Sequence, residues 1–206
     1  TFDLIDAAAE CVPGSIVHYV TGANEGSQQR GSLKDDVYKW RSNMAIPVYL
    51  WLKDDGGADI KGSVDVKDRE GSIEVVAQEH NLYIPTDNNT GKLTGTRIHT
   101  PFLFTKEIDA SSPYLYKAVT TGQTLKSAEF KWYKINDAGQ EVEYFNTKLE
   151  NVKLVKVNPK MHDIKDPAFE KHNHLEQIEL RYEKITWTYK DGNIIHSDAW
   201  SERTTA

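Results

Sequence analysis

A short helix-forming segment lies between long strand-forming segments, and this order limits the chain to a strand-rich fold with a helix at its side. In "DASSPYLYKAVTTG" (109–122), Ser111 or Ser112 is suited to cap a helix. Pro113 suits the first helical position, and Gly122 suits the end of the helix. The apolar stripe of this helix comprises Leu115, Tyr116 and Val119. We therefore expect a helix of about two to three turns with one apolar face against a sheet.

Strand-like alternation of apolar and polar residues occupies both sides of this helix. The strand-like segments are 46–54, 71–86, 97–108, 124–135, 141–158 and 174–192. The apolar residues of 97–108 fall at even positions, so we expect them to share one face of one strand. They are Ile98, Phe102, Phe104 and Ile108. Between the last two strand-like segments, residues 159–172 are polar and contain two prolines, which predicts an irregular connection.

The segment 174–192 has the most regular alternation, yet both of its faces carry apolar residues. Ile178, Leu180 and Tyr182 fall on one face, with Lys184 and Thr186. Ile185 and Trp187 fall on the other face, with Glu179, Arg181 and Glu183. A single strand with this pattern is buried on both sides. We expect one face to contact the core and the other to contact a neighbouring copy of the chain.

Turn-forming residues separate these strands at short intervals. Residues 87–96 are rich in Gly, Asn and Thr, and Asp137-Ala138-Gly139 is a hairpin signal. Closely spaced strands with a single helix are typical of a mainly β fold. The predicted architecture is an antiparallel β-barrel or two packed sheets, with one flanking short α-helix.

Composition excludes several classes of protein. The chain has 206 residues and a net charge of −6, whereas a nucleic-acid-binding surface is usually basic. It holds a single cysteine, Cys11, so an internal disulfide framework is excluded. Neither a signal peptide nor an apolar run of about 18 residues is readable. Ten Tyr, six Phe and five Trp supply the volume for a substantial core.

From Met44 to Ala206, the chain resembles the haemolysin-coregulated protein (Hcp) family, the inner-tube subunits of bacterial type VI secretion systems. The stretches that carry this resemblance are "MAIPVYLWL", "TGTRIHTPFLFTKEIDASSPYLYKAVTTGQTLKSAEFKWYK", "EVEYFNTKLENVKLVKV", "HNHLEQIELRYEKITWTYKDG" and "SDAW". Each stretch is unspecific by itself, but their ordered occurrence along the chain is highly specific.

The resemblance implies a fold, an assembly and a route out of the cell. The fold is a strand-rich barrel of two packed sheets with one helix at its side, as in phage tail-tube proteins. The subunits form homo-hexameric rings that stack into a tube, and a contracting sheath propels the tube. Further partners are spike and baseplate proteins, with effector proteins in the lumen, but neither nucleic acid nor membrane insertion. The protein would be bacterial and cytoplasmic before firing, then secreted without a signal peptide.

A tube subunit needs contact surfaces, and the turn tips are the natural candidates because they project beyond the strand ends. We expect the loops 86–92 and 136–140, together with the C-terminal segment near Ser201, to lie at the rims where rings stack. The rim residues are Asp87, Asn88, Asn89, Gly91, Asp137, Gly139 and Ser201. The resemblance implies no catalytic residue, metal or cofactor. An alternative function is a phage-tail-like tube protein.

A metal-dependent enzyme is the alternative from a different class. In "EKHNHLE" (170–176), His172, His174 and Glu176 fall two residues apart, so they would share one face of a strand. Such a row could hold zinc, as the imidazole and carboxylate ligands suit it. Chance clustering of seven histidines explains the row equally simply. We therefore expect a structural or solvated role for these side chains.

Residues 1–43 do not follow the family pattern, which begins at Met44. We predict two parts, an N-terminal extension (1–43) and a tube domain (44–206). Three explanations for the extension stay open: a start codon assigned upstream of the natural one at Met44, a genuine appendage, or an engineered fusion. Of the three, we expect the first, with Met44 as the natural start.

Overall fold

The computed structural model describes residues 46–169 and 173–202, so the N-terminal extension and Cys11 lie outside the described residues. The strands of the described part are β1 Val48–Lys53, β2 Asp59–Ile60, β3 Ile73–Val75, β4 Ala77–Glu79, β5 Leu82–Tyr83, β6 Ile98–His99, β7 Phe102–Glu107, β8 Thr124–Ile135, β9 Glu141–Lys160, β10 Leu175–Arg181, β11 Lys184–Tyr189 and β12 Ile194–Ala199. The helix α1 is Ser112–Thr121, and short 3-10 turns occupy Pro167–Phe169 and Asp191–Asn193.

The main sheet is antiparallel and runs in the order β2-β1-β8-β9-β10-β7-β4. Its two ends are joined by the segment 73–79. The first half of this segment, β3, pairs with β1, and the second half, β4, pairs with β7. The pairings therefore lead from β1 around the molecule and back to β1. This confirms the predicted mainly β, antiparallel class with one flanking helix in the described part of the chain.

The core fills the space inside this circuit of strands. Its largest fully buried apolar side chains are Leu50, Leu52, Ile73, Phe102, Phe104, Leu115, Leu125, Phe130, Leu149, Ile178 and Leu180. The rings of Phe102 and Phe130 lie 4.5 Å apart between centroids, which joins β7 to β8 through the interior. Burying each such side chain contributes about 1.5–3 kcal/mol to folding.

The helix forms where its cap residues predict it, but its buried face differs from the prediction. It begins after Ser111 with Pro113 in its first turn, and Gly122 ends it with a φ of 67°. Leu115 and Ala118 are buried, whereas Tyr116 is 39% exposed, so Tyr116 does not belong to the packed stripe. None of the helices within the described ranges combines the length and the apolar character that crossing a membrane requires.

Two of the predicted strands are interrupted. The segment 71–86 forms three short strands, and 97–108 divides into β6 and β7 at Thr100-Pro101. The Thr100 amide donates to the carbonyl oxygen of Asn81, outside the main sheet. Ile98 lies before this break and Ile108 lies just after the end of β7, and both are exposed. The prediction that they share one face of one strand with Phe102 and Phe104 is therefore wrong. Lys106 takes the next buried position on that face.

The strands β8 and β9 confirm the predictions for 124–135 and 141–158, and a turn at 137–139 joins them. Asn136 stabilises this turn because its side-chain oxygen accepts from the amides of Ala138 and Gln140, at 3.0 and 2.9 Å. The strand β9 continues to Lys160, so the connection predicted from residue 159 begins two residues later. Residues 170–172 of that connection lie outside the described residues.

The segment 174–192 is two strands rather than one, and this explains its mixed faces. The chain bends at Tyr182–Glu183, between β10 and β11. Opposite this bend, Asn151 in β9 has a φ of 51°, and its side-chain amide lies 2.5 Å from a carboxylate oxygen of Glu183. At this point β9 and the β10–β11 segment both switch the strand face that points to the core. Tyr182 and Ile185 are therefore both buried in the same core. The predicted burial against a neighbouring copy is therefore not needed to explain the pattern.

Candidate functional site: an exposed arm and its buried anchor

A hairpin-like arm, residues 80–100, projects from the main sheet. Its strands β5 and β6 pair with each other in a separate two-stranded sheet. Further out, Thr86 and Leu93 form an isolated bridge, and the Thr94 amide donates to the Pro85 carbonyl at 2.9 Å. The exposed apolar side chains of the arm are Leu82, Tyr83, Ile84, Leu93 and Ile98. Several exposed apolar side chains on one projecting segment are typical of a surface that contacts another protein.

The tip of the arm carries the first group of predicted rim residues, Asp87, Asn88, Asn89 and Gly91. The Asp87 carboxylate accepts from the Thr90 amide at 2.7 Å, the Thr90 hydroxyl at 3.0 Å and the Asn89 amide at 2.9 Å. These hydrogen bonds, those from Thr90 first, lower the pKa of Asp87 below its ordinary value. Gly91 has a φ of 68°, which a residue with a side chain rarely adopts. The loop is therefore exposed and locally ordered.

The second group, Asp137 and Gly139, lies at a different place in the fold. Their turn follows β8 and precedes β9, at the end of the sheet where β11 also finishes. There the Lys190 amide donates to the Tyr144 carbonyl at 3.0 Å. The arm instead leaves the sheet where Phe102 of β7 pairs with Leu180 of β10, and Leu180 pairs in turn with Leu154, near the middle of β9. The structure therefore does not bring the two groups of rim residues together.

Ser201 is linked to the arm rather than to the β8–β9 turn. It is exposed in a turn that follows β12. The Arg97 guanidinium, at the base of the arm, donates to the carbonyl oxygens of Ala199 and Glu202, each at 2.7 Å. It also forms an ion pair with Asp198. The hydrogen bond that Arg97 donates to Asp198 raises the pKa of Arg97. Arg97 thus clamps the C-terminal turn around Ser201 to the arm.

A chain of four side chains anchors the arm, and we call it the anchor: His80, Tyr182, His99 and Asp198. Tyr182 and His99 are buried, and His80 and Asp198 are partly buried. The hydroxyl of Tyr182 lies 2.7 Å from Nε2 of His80 and 2.7 Å from Nδ1 of His99. Nε2 of His99 lies 2.7 Å from Oδ2 of Asp198. His99 is 2% exposed, and the Trp200 ring packs against it at 5.2 Å between centroids. The anchor joins both ends of the arm to β10 and to β12.

Burial and charge set the protonation of the anchor. Burial, followed by the nearby His99, lowers the pKa of His80 to about 4. Burial also raises the pKa of Tyr182 well above its ordinary value, and the Asp198 charge adds to this effect. Burial raises the pKa of Asp198, but hydrogen bonds from Arg97 and His99 outweigh it and leave that pKa lowered. At neutral pH, His80 is therefore neutral and Asp198 is charged.

The two described residues of the alternative metal site, His174 and Glu176, do not share a surface. Glu176 is fully buried, and its Oε1 lies 2.7 Å from Nζ of Lys106 and 2.7 Å from the Ser112 hydroxyl. His174 is exposed and precedes the strand β10. His172 lies outside the described residues. The residues that the structure describes contain no group of three or more His, Cys, Asp or Glu side chains suited to a metal ion.

Sequence reasoning missed both buried polar clusters, although each left a signal. Lys106 falls at the same even spacing as Phe102 and Phe104, so its burial follows from the alternation that placed those two rings. The anchor has a weaker signal, since its members are far apart in the sequence. Only Tyr182, at a buried position of a regular alternation, indicates a hydroxyl that needs an internal partner.

Known proteins include relatives of this chain. The family model described as "Type VI secretion system effector, Hcp" matches residues 49–189. The "Major exported protein" of Pseudomonas aeruginosa is 35% identical over 166 residues, which span 76% of this chain and 96% of that protein. The matched range covers most of the region, from Met44 onward, that resembles this family in sequence.

Solved structures show the same similarity. A mutant form of the Hcp1 protein from the E. coli EAEC 042 pathovar is 90% identical, with a TM-score of 0.70, over 76% of this chain and 99% of that one. The secreted protein Hcp3 from Pseudomonas aeruginosa is 27% identical, with a TM-score of 0.62, over 76% of this chain and 99% of that one. The chain belongs to the Hcp family of type VI secretion proteins.

Proposed function

We propose that the chain is a structural subunit of a type VI secretion tube, whose copies close into six-membered rings that stack end to end. The single observation that carries this proposal is the family match across the strands that form the core. Sheath, spike and baseplate proteins are the partners outside the tube, and effector proteins are its cargo. The chain itself performs no reaction in this role. It leaves the cell with the tube, in agreement with the exported character of its relative.

The exposed arm supports an assembling protein. Leu93 is 67% exposed, and Leu82, Tyr83 and Ile84 are each more than 40% exposed on the same projection. The strand β12 adds Ile194 and Ile195, at 66% and 57% exposed, and in the described residues it pairs only with β11. Open strand edges and apolar projections favour association, because covering them removes apolar surface from water. Contacts between copies would bury both features.

Sedimentation velocity of the purified chain, with negative-stain imaging, tests the proposal. We expect six-subunit rings at micromolar concentration and stacked tubes at higher concentration. Leu93→Asp places a charge on the arm, and Ile164→Asp places one on an equally exposed residue outside it. We expect Leu93→Asp to reduce tubes at least tenfold and Ile164→Asp to leave them unchanged. A monodisperse monomer at high micromolar concentration would contradict the proposal.

A phage-tail-like tube protein would form similar rings, so assembly alone does not separate the two functions. Export does. In cells that carry a type VI secretion system, we expect the chain in the culture medium only while the sheath protein is intact. Equal release from cells with and without the sheath gene would favour the phage-tail-like alternative.

A further inference from the structure

The anchor contains one hydroxyl between two imidazole rings, and this limits where its protons can lie. Tyr182 has a single hydroxyl proton, but its oxygen is 2.7 Å from a ring nitrogen of His80 and 2.7 Å from one of His99. The hydroxyl donates to only one of these nitrogens. The other imidazole must donate its own N–H to the Tyr182 oxygen. The two hydrogen bonds of the Tyr182 hydroxyl therefore run in the same direction along the anchor.

The charged Asp198 fixes that direction when both rings are neutral. Its carboxylate only accepts hydrogen bonds, so Nε2 of His99 carries a proton and donates to it. Nδ1 of the neutral His99 is then bare and accepts from the Tyr182 hydroxyl. The Tyr182 oxygen in turn accepts from Nε2–H of His80. Each of the three hydrogen bonds within the anchor then has one donor and one acceptor.

One added proton fits the same heavy-atom positions. It binds Nδ1 of His80, the Nε2–H proton of His80 passes to the Tyr182 oxygen, and the hydroxyl proton of Tyr182 passes to Nδ1 of His99. His80 ends neutral, with its proton on the opposite nitrogen, and His99 ends as an imidazolium beside Asp198. All the hydrogen bonds persist: the two bonds of Tyr182 exchange donor and acceptor, and His99 still donates to Asp198. A proton that arrives at the partly buried ring thus becomes a charge on the fully buried one.

A second added proton does not fit. His80 and His99 would then both donate to the Tyr182 oxygen, and the Tyr182 hydroxyl proton would have no acceptor in the anchor. The two charged rings would also lie 6.1 Å apart between centroids. A buried unsatisfied hydroxyl and two like charges both oppose the closed arrangement.

The charges around the anchor allow the first proton and oppose the second. Asp198 on β12 contacts His99 directly and favours its charge. Arg97 on the arm bonds Asp198, and Arg181 on β10 donates to the His99 backbone carbonyl at 2.9 Å, so both guanidiniums oppose further positive charge. Glu202 interacts with Arg97 on the exposed side. His80 faces the rings of Phe102, Tyr182 and His99, which offer it no carboxylate.

We propose that His80, Tyr182, His99 and Asp198 form a proton relay that latches the arm and the C-terminal turn to the main sheet. The latch stays closed with no added proton or one, and opens when a second is added. It is a conformational device of the subunit and holds whatever the assembly of the chain. Opening of the latch under acidic conditions releases the arm and the turn around Ser201 from the main sheet.

Magic-angle-spinning nitrogen-15 NMR of sedimented, histidine-labelled full-length protein tests the relay. We expect His80 to carry its proton on Nε2 above pH 8. As the pH falls, His80 should move its proton to Nδ1 at the same midpoint at which His99 becomes doubly protonated. Tyr182→Phe should abolish this shared midpoint, and Tyr116→Phe, a change on the exposed helix surface, should preserve it. His80 that keeps one tautomer while His99 becomes charged would overturn the relay in the unmodified protein.

A spin label at Ser201→Cys, in a Cys11→Ser background, tests the latch. We expect the label to stay immobile through the first protonation and to become mobile only near pH 4, since the pKa of His80 is lowered to about 4. The same label combined with His80→Phe, which cannot take the second proton, should remain immobile. A label that becomes mobile at the first protonation, or one that is equally mobile at every pH, would overturn the latch.

Discussion

Lys106 and Glu176 form an ion pair in the interior, with Nζ and Oε1 2.7 Å apart and neither side chain exposed. The ammonium also reaches a carboxylate oxygen of Asp109 at 2.7 Å and the Glu107 carbonyl at 2.8 Å. The Ser112 hydroxyl, at the start of α1, completes the group by donating to Glu176. The pair therefore ties β7 and β10 to the first turn of the helix.

Removing the ammonium should destabilise the protein strongly. Lys106→Met leaves a buried carboxylate without its countercharge, and such a change costs about 3–5 kcal/mol. We expect urea unfolding, followed at fixed protein concentration, to show this loss. Lys106→Met combined with Glu176→Leu should recover most of it. The control is Lys53→Met, which breaks the exposed pair with Asp59 and should cost at most about 1 kcal/mol. Equal losses from the two lysines would contradict the buried role.

Asn151 should tolerate glycine better than valine. Its φ of 51° strains a β-branched side chain, at a cost of about 1–2 kcal/mol. Asn151→Gly removes the bond to Glu183 but keeps the backbone relaxed, so we expect a smaller loss of stability than for Asn151→Val. Thermal unfolding of both variants under identical conditions measures the difference. A glycine variant that is less stable than the valine variant would show that the backbone conformation is not what matters.

Stability should fall as the pH is lowered from about 6.5 to about 4. The pKa of His80 is lowered to about 4 in the folded protein, whereas an unfolded histidine titrates near 6.5. In this interval the unfolded chain binds the proton more readily, so protonation favours unfolding. We expect His80→Phe to flatten the pH dependence of the unfolding temperature in this interval. His162→Phe, a change at a histidine outside the anchor, should leave the dependence in place. An identical pH profile for His80→Phe and the unmodified protein would be evidence against the role of His80.

Disulfide trapping tests the placement of the rims. Gly91 and Gly139 both have positive φ, so we place the cysteines on their exposed neighbours instead. In a Cys11→Ser background, Asn89→Cys or Ala138→Cys is combined with Ser201→Cys. We expect at least one pair to give intersubunit cross-links in preparations that contain tubes. Lys117→Cys with Ser201→Cys is the control on the exposed side of α1. Tubes without cross-links from either rim pair would refute the rim placement.

The predictable parts of this fold are those where local signals agree. The helix bounds followed from Ser111, Pro113 and Gly122, because capping depends on a few adjacent residues. The break at Tyr182–Glu183 was not predictable, since it depends on Asn151 in a strand about thirty residues away. The same holds for the anchor: His80, His99 and Asp198 become neighbours only after the arm and β12 have docked. The turn at Asp137 and the arm tip at Asp87 were recognised as loops, and their role in stacking stays a prediction.

The pairing of segment 73–79 limits where the family fold tolerates insertions and deletions. Because β3 pairs with β1 and β4 pairs with β7, Val76 is the point where the chain changes partners. Deleting one residue there would slip one pairing by one position and turn Ile73 and Val75 from the core to the solvent. The arm, a few residues later, returns to its own base, so insertions at its tip leave both pairings intact. Natural relatives should therefore vary in length at the tip of the arm and keep a fixed length across Val76.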